Sequence, residues 1–179
     1  MTLHVIEGVA VEDTGAGPAV VCVHGLGGTS NTWSAMPSAF DGFRCIRVDL
    51  PGCGRSQKNT QHITVQDLVQ CLQAVCKTLG ITQAQWLGHS MGTVLCQHLA
   101  IAAPELVRSL VLFGPLIAPG DAAREGLRLR ADLVSKKGLA GMQEVTDQLL
   151  VTAVSAHTKS NQPSAYAFVR ESLMRQSPQ

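Results

Sequence analysis

Gly88-His89-Ser90-Met91-Gly92 constrains this chain more than any other stretch. Ala84-Gln85-Trp86-Leu87 before it reads as a buried strand, and Thr93 to Ala100 after it as a helix. Passing from strand to helix within so few residues forces a sharp bend at the centre. Glycines on both sides admit the crowding, so Ser90 Oγ is lifted above the sheet edge while the Met91 amide faces the place where a carbonyl oxygen would become an anion. A G-x-S-x-G alone recurs by chance; a strand before it and a helix after it are the context of a nucleophile elbow.

An elbow of this kind needs a sheet beside it. Ala19-Val20-Val21-Cys22-Val23 is an uninterrupted apolar run stopped by His24-Gly25, as in a central parallel strand covered on both faces. Arg44 to Asp49, Gln85 to Gly88 and Ser109 to Phe113 read as three more such strands. Leu3 to Glu7 and Val9 to Glu12 alternate across Gly8, which predicts an antiparallel edge hairpin or a bent pair of strands. Between the strands the pattern predicts a short helix over Ser34 to Phe40, an amphipathic helix over Val65 to Leu79 with Thr64 as N-cap and Gly80 as stop, and a helix over Ser90 to Ala103. Alternation of this kind predicts an α/β fold with a doubly wound, mostly parallel sheet, whose ligands bind beyond the carboxyl ends of the strands. After Gly114-Pro115 the buried-strand pattern stops. Helices are expected over Asp121 to Lys137, Leu139 to Ala153 and Ser164 to Met174. The organisation read from this is a core over residues 1–117 and a helical lid or cap over 118–179.

Two further loops come after strand ends and should converge with Ser90. His24-Gly25-Leu26-Gly27-Gly28 exposes backbone amides without side-chain obstruction. A phosphate cradle is the rival reading, but no Lys-Ser/Thr follows and the G-x-G-x-x-G register is not met. Asp49-Leu50-Pro51-Gly52-Cys53-Gly54-Arg55-Ser56 makes a tight turn, with Asp49 and Arg55 placed to brace it. His24 reads as a second bracing residue. Alternation around the elbow points His89 away from Ser90, toward packing or pocket shaping. Gly25, Trp33 and His89 are the substrate-binding candidates, and Trp33 and Met91 are candidate pocket walls or ordinary core.

In this order H-G-L-G-G, D-L-P-G-C-G-R-S and G-H-S-M-G resemble the α/β-hydrolase superfamily. Their surroundings look like its esterase, lactonase and carbon-carbon hydrolase branch, most like 3-oxoadipate enol-lactonase and its relatives. Residues 5 to 115 carry the resemblance well, and those from Ala118 onward only loosely. It implies Ser90 as nucleophile and the Leu26 and Met91 amides as oxyanion hole. The reaction implied is hydrolysis of a small ester or lactone through an acyl-enzyme, with no cofactor and no metal. A carbon-carbon bond hydrolase and a catalytically silent binding module are the alternatives.

In the family the acid and the histidine follow the nucleophile. Only His98 and His157 follow Ser90 here. His98 lies too far along its helix to reach back, and His157 falls in the helical segment, where Asp121, Asp132 or Asp147 would have to serve as its acid. The expectation is therefore that the acid, the histidine and the closing strands lie beyond Gln179. The strand over Ser109 to Phe113 would then be an apolar edge through which copies associate.

Charge narrows the partners. A net charge of +1 with scattered acids and bases gives no basic stripe for nucleic acid. No apolar run approaches the roughly 20 residues of a membrane span, and Met1-Thr2-Leu3-His4-Val5 does not begin a signal peptide, so the expectation is a cytoplasmic protein without a membrane partner. Six cysteines without a C-x-x-C spacing read as reduced thiols, with Cys53 the one expected near the surface.

Overall fold

The structure is a computed structural model that describes residues 1–58 and 62–176. The last three positions of the expected helical segment, 177–179, lie outside the described residues. Among the described residues six strands form one sheet: β1 (Thr2–Ile6), β2 (Val9–Thr14), β3 (Ala19–Val23), β4 (Arg44–Val48), β5 (Ala84–His89) and β6 (Val107–Phe113), in the order β1-β2-β4-β3-β5-β6. β4, β3, β5 and β6 run parallel, and β2 joins them antiparallel through β4. β1 and β2 form the expected hairpin. Ile6 pairs with Val9, so the loop is Glu7-Gly8, and both residues have positive φ (50° and 82°), which gives the turn a twist that matches its strands.

Two helices cover one face, α1 (Val65–Thr78) and α2 (Met91–Ala102). α1 starts where Thr64 accepts the Asp67 amide and Asp67 returns a bond to the Thr64 amide, a reciprocal cap. It buries Leu68, Val69, Leu72, Val75 and Cys76, the single stripe its periodicity predicts. That stripe meets Val9, Val11, Val21, Val23, Ile46, Val48 and Trp86 from the sheet and Leu95 and Leu99 from α2.

The opposite face is covered differently from the sequence expectation. Instead of one helix over Ser34 to Phe40 there are two 3₁₀ turns, Ser30–Trp33 and Pro37–Phe40. Met36 adopts φ −126° and ψ 49°, outside the helical region, because Pro37 crowds the residue before it. Trp33 from the first turn packs with Val20, Cys22 and Cys45, and Met36, Phe40 and Phe43 close over them. All six thiols are free. Cys71 is half-buried like Cys53, so Cys53 is not alone in lying near the surface.

By contacts the chain divides into Met1–Ile117 and Ala118–Gln179. The second unit consists of α3 (Asp121–Lys137), α4 (Leu139–Ala153), α5 (Ala156–Asn161) and α6 (Pro163–Met174). Gly138 turns the chain at φ 55°, and α4 packs against both α3 and α6, burying Val145, Thr146 and Leu150. α5 was not expected; Ser155 caps it by accepting the Thr158 amide. No helix among the described residues is long and apolar enough to cross a membrane.

Candidate active site

Ser90 stands between β5 and α2 with φ 51° and ψ −116°. This left-handed conformation costs a non-glycine residue about 1–3 kcal/mol, so the surroundings must hold it in place. They do so from three sides. The Ser90 amide donates to the Phe113 carbonyl of β6 at 2.9 Å, while the Ser90 carbonyl accepts from the Thr93 amide at 2.9 Å and the Thr93 hydroxyl at 2.6 Å. Behind the bend Gly92 faces the carbonyls of Val23 and His24 so closely that a Cβ there would collide with backbone.

Parallel pairing brings the oxyanion-loop candidate to the elbow. Val23 of β3 is in register with Gly88 of β5, so the residues after each strand lie side by side. A Cβ on Gly25 would fall 2.9 Å from Ser90 Cβ, 3.0 Å from the His89 carbonyl oxygen and 3.2 Å from His89 Nδ1. The loop can therefore approach this closely only because residue 25 is glycine. Among the described residues neither the Leu26 nor the Met91 amide is taken by a backbone or side-chain acceptor; one follows Gly25 and the other follows Ser90 in the chain. The Leu26 side chain itself points into solvent, 66% exposed.

His24 is buried and fixes the start of this loop. The Leu50 amide donates to Nε2 at 3.0 Å, so Nε2 is the acceptor and Nδ1 carries the proton that bonds the Gly25 carbonyl at 2.8 Å. Burial holds its pKa below the ordinary histidine value, outweighing the Gly25 carbonyl and Asp49, which favour the charged form. Asp49 is braced as its turn suggested. It accepts from the Ser30 amide at 2.6 Å and from the Arg55 amide and Nε at 3.1 and 3.0 Å. Burial pushes its carboxyl up, but these bonds outweigh burial and hold it below the usual range.

The remaining candidates have other surroundings. Trp33 is buried and packs its ring against Phe113 at 6.1 Å, 58° from parallel. Met91 packs on the core between α1, α2 and the sheet. His89 is exposed, with its pKa lowered by desolvation. Cys53 is pushed up to about 11, by burial and then by Asp49, so it is no activated thiol. His98 is exposed on α2. His157 lies in α5, where Asn161 Nδ2 meets its Nδ1 at 3.2 Å. Among the described residues Asp121, Asp132 and Asp147 make no bond to it, and no side chain hydrogen-bonds Ser90 Oγ. No group of three potential metal ligands occurs among them.

Two contributors escaped the sequence. Phe113 meets His89 in register and supplies both a carbonyl and a ring, and Thr93 reaches back to the bend. The first depends on strand register, which is not local. The second had a signal, a hydroxyl three residues after Ser90.

A model of the alpha/beta hydrolase fold matches residues 18–136. A Mycobacterium tuberculosis protein, BpoC, provisionally named a non-heme bromoperoxidase, is 39% identical over 107 residues, 58% of this chain and 40% of that protein. A pimeloyl-[acyl-carrier protein] methyl ester esterase from Methylococcus capsulatus is 36% identical over 106 residues, 59% of this chain and 40% of the esterase. The solved enol-lactonase of Burkholderia xenovorans LB400 shares the fold, with a TM-score of 0.88 at 22% identity over 99% of this chain and 69% of its own. The chain thus spans about two-fifths of the length of these two curated relatives.

Proposed function

Because the chain belongs to the alpha/beta hydrolase fold family, we propose that Ser90 is the nucleophile of a hydrolase for carboxylic esters or lactones of small metabolites. The observation that carries this reading is the left-handed Ser90 at a strand-to-helix bend, with Gly25 packed against it and the next amide after each of them, Leu26 and Met91, untaken among the described residues. In this reading Ser90 Oγ attacks the carbonyl carbon. The carbonyl oxygen takes the displaced electron pair as an oxyanion between the Leu26 and Met91 amides. Its collapse breaks the acyl C–O bond, and the released alcohol oxygen, which in a lactone stays tethered to the acyl group, takes up the proton lost by the Ser90 hydroxyl as the acyl-enzyme forms. Water then adds to the acyl carbon through a second oxyanion at the same amides; the C–Oγ bond breaks, one proton of the water returns to Ser90 Oγ and the carboxylic acid leaves. Neither step draws on a cofactor or metal.

One observation favours a second reading, a binding module without turnover: no imidazole bonds Ser90 Oγ among the described residues. A fluorophosphonate probe separates the two. The nucleophile reading expects covalent label that is lost in Ser90→Ala. Absence of label on the folded wild-type chain supports the silent module, since Ser90 without a base keeps only what the oxyanion site and binding provide.

A further inference from the structure

Glu12 lies on β2, outside the parallel strands that build the elbow, yet it is 5% exposed and faces two arginines. Arg47 is its cross-strand partner in register, with Nη2 at 2.5 Å from Oε2. Arg55 Nη1 lies 2.8 Å from Oε1. Each arginine then continues to a serine of the segment after the oxyanion loop. Arg55 Nη2 donates to Ser30 Oγ at 2.8 Å, and Arg47 Nη1 donates to Ser34 Oγ at 3.1 Å. These serines bracket the 3₁₀ turn Ser30–Trp33, and Asp49 takes the Ser30 amide from the same side.

The loop carrying the Leu26 amide is therefore pinned at both ends: upstream at His24 and Gly25, downstream at Ser30. Two carboxylates and two guanidiniums balance in this cluster. Removing the Glu12 carboxylate leaves Arg55 with Asp49 and takes away the carboxylate that Arg47 faces, and the bonds to Ser30 and Ser34 lose the charge that aims them. Burying ions is a poor way to stabilise a sheet, because apolar residues of equal volume often serve as well; what such a network supplies is a fixed geometry.

We propose that Glu12 is a positioning residue for the Ser90 reaction, acting through Arg55 and Arg47 on Ser30 and Ser34 to fix the oxyanion loop. The proposal rests on the reading of Ser90 as nucleophile. It is tested on the full chain carrying 5-fluorotryptophan, whose two tryptophans report separately: Trp33 ends the anchored turn, and Trp86 lies in the core on the opposite face of the sheet. A Trp33→Phe sample assigns the two ¹⁹F resonances. In Glu12→Gln and in Ser30→Ala the Trp33 resonance shifts or broadens while that of Trp86 stays. Fluorophosphonate kinetics accompany this: the maximal labelling rate falls roughly tenfold or more with the half-saturating concentration unchanged, because misplaced oxyanion donors act on the transition state. The double variant is no slower than the worse single one. Should Glu12→Gln disturb the Trp86 resonance and so fail to fold, Ser30→Ala carries the same test. Variants that label at the wild-type rate, or an unmoved Trp33 resonance, overturn the role of Glu12 and leave the nucleophile standing. A wild-type chain that takes no label overturns the nucleophile and the positioning role with it.

Discussion

His24 binds through both ring nitrogens in a way only the neutral ring permits, accepting from Leu50 and donating to Gly25. Its pKa in the folded chain lies below the ordinary 6.5, first because it is buried. The unfolded chain therefore binds this proton more readily, and the stability His24 contributes is complete above about pH 6.5 and is lost as pH falls from there toward the folded value. For one such group the slope reaches at most about 1.4 kcal/mol per pH unit. Urea unfolding from pH 7.5 to 5 is expected to show the wild type losing stability faster than His24→Asn; subtracting the two profiles removes the part due to His89, whose pKa partial desolvation of its ring also lowers. Parallel profiles would show that His24 is not the group responsible.

At the level of elements, one hydroxyl ties α2 to the segment after β6. Thr93 Oγ1 donates to the Ser90 carbonyl and accepts from the Leu116 amide at 3.1 Å, and Gln97 Nε2 adds a bond to the Leu116 carbonyl, also at 3.1 Å. Thr93→Val keeps the shape and removes the hydroxyl, leaving the Leu116 amide without that acceptor. The expected cost is about 1–3 kcal/mol of unfolding free energy, with faster hydrogen exchange at the Leu116 amide. An unchanged exchange rate would mean that the tie is not made in solution. The same scale shows what the sequence could tell. β3 was legible because Ala19 to Val23 has no polar residue to place it at a surface, and α1 because its stripe and cap agree. The region before β4 was not: the apolar spacing of Trp33, Met36 and Phe40 imitates a helix, and Pro37 breaks it into two turns. In the site, Ser90 and Gly25 stood out because tight approach demands a glycine. Phe113 and Glu12 did not, since their neighbours depend on which strands lie side by side. Glu12 meets Arg47 only because β2 inserts beside β4, and no local pattern encodes that choice.

For the 179-residue chain as a whole, the strand order among the described residues leaves β6 at one margin of the sheet. Val111 and Phe113 there are 41% and 42% exposed, and Leu116 and Ile117 continue from them into solvent. Such an apolar edge is a template for pairing with another chain. The expected outcome is self-association that rises with concentration in sedimentation velocity and weakens in Val111→Lys, which places a charge on the edge. A monomer at every concentration would exclude this edge as a pairing surface.

The strain at Ser90 resides in its main chain, and the ties that hold it come from Phe113, Thr93 and the crowding at Gly92; none of them touches the hydroxyl. Backbone shape and side-chain chemistry are therefore separable at this position: a small side chain that tolerates a left-handed backbone is expected to keep the bend while changing what residue 90 presents.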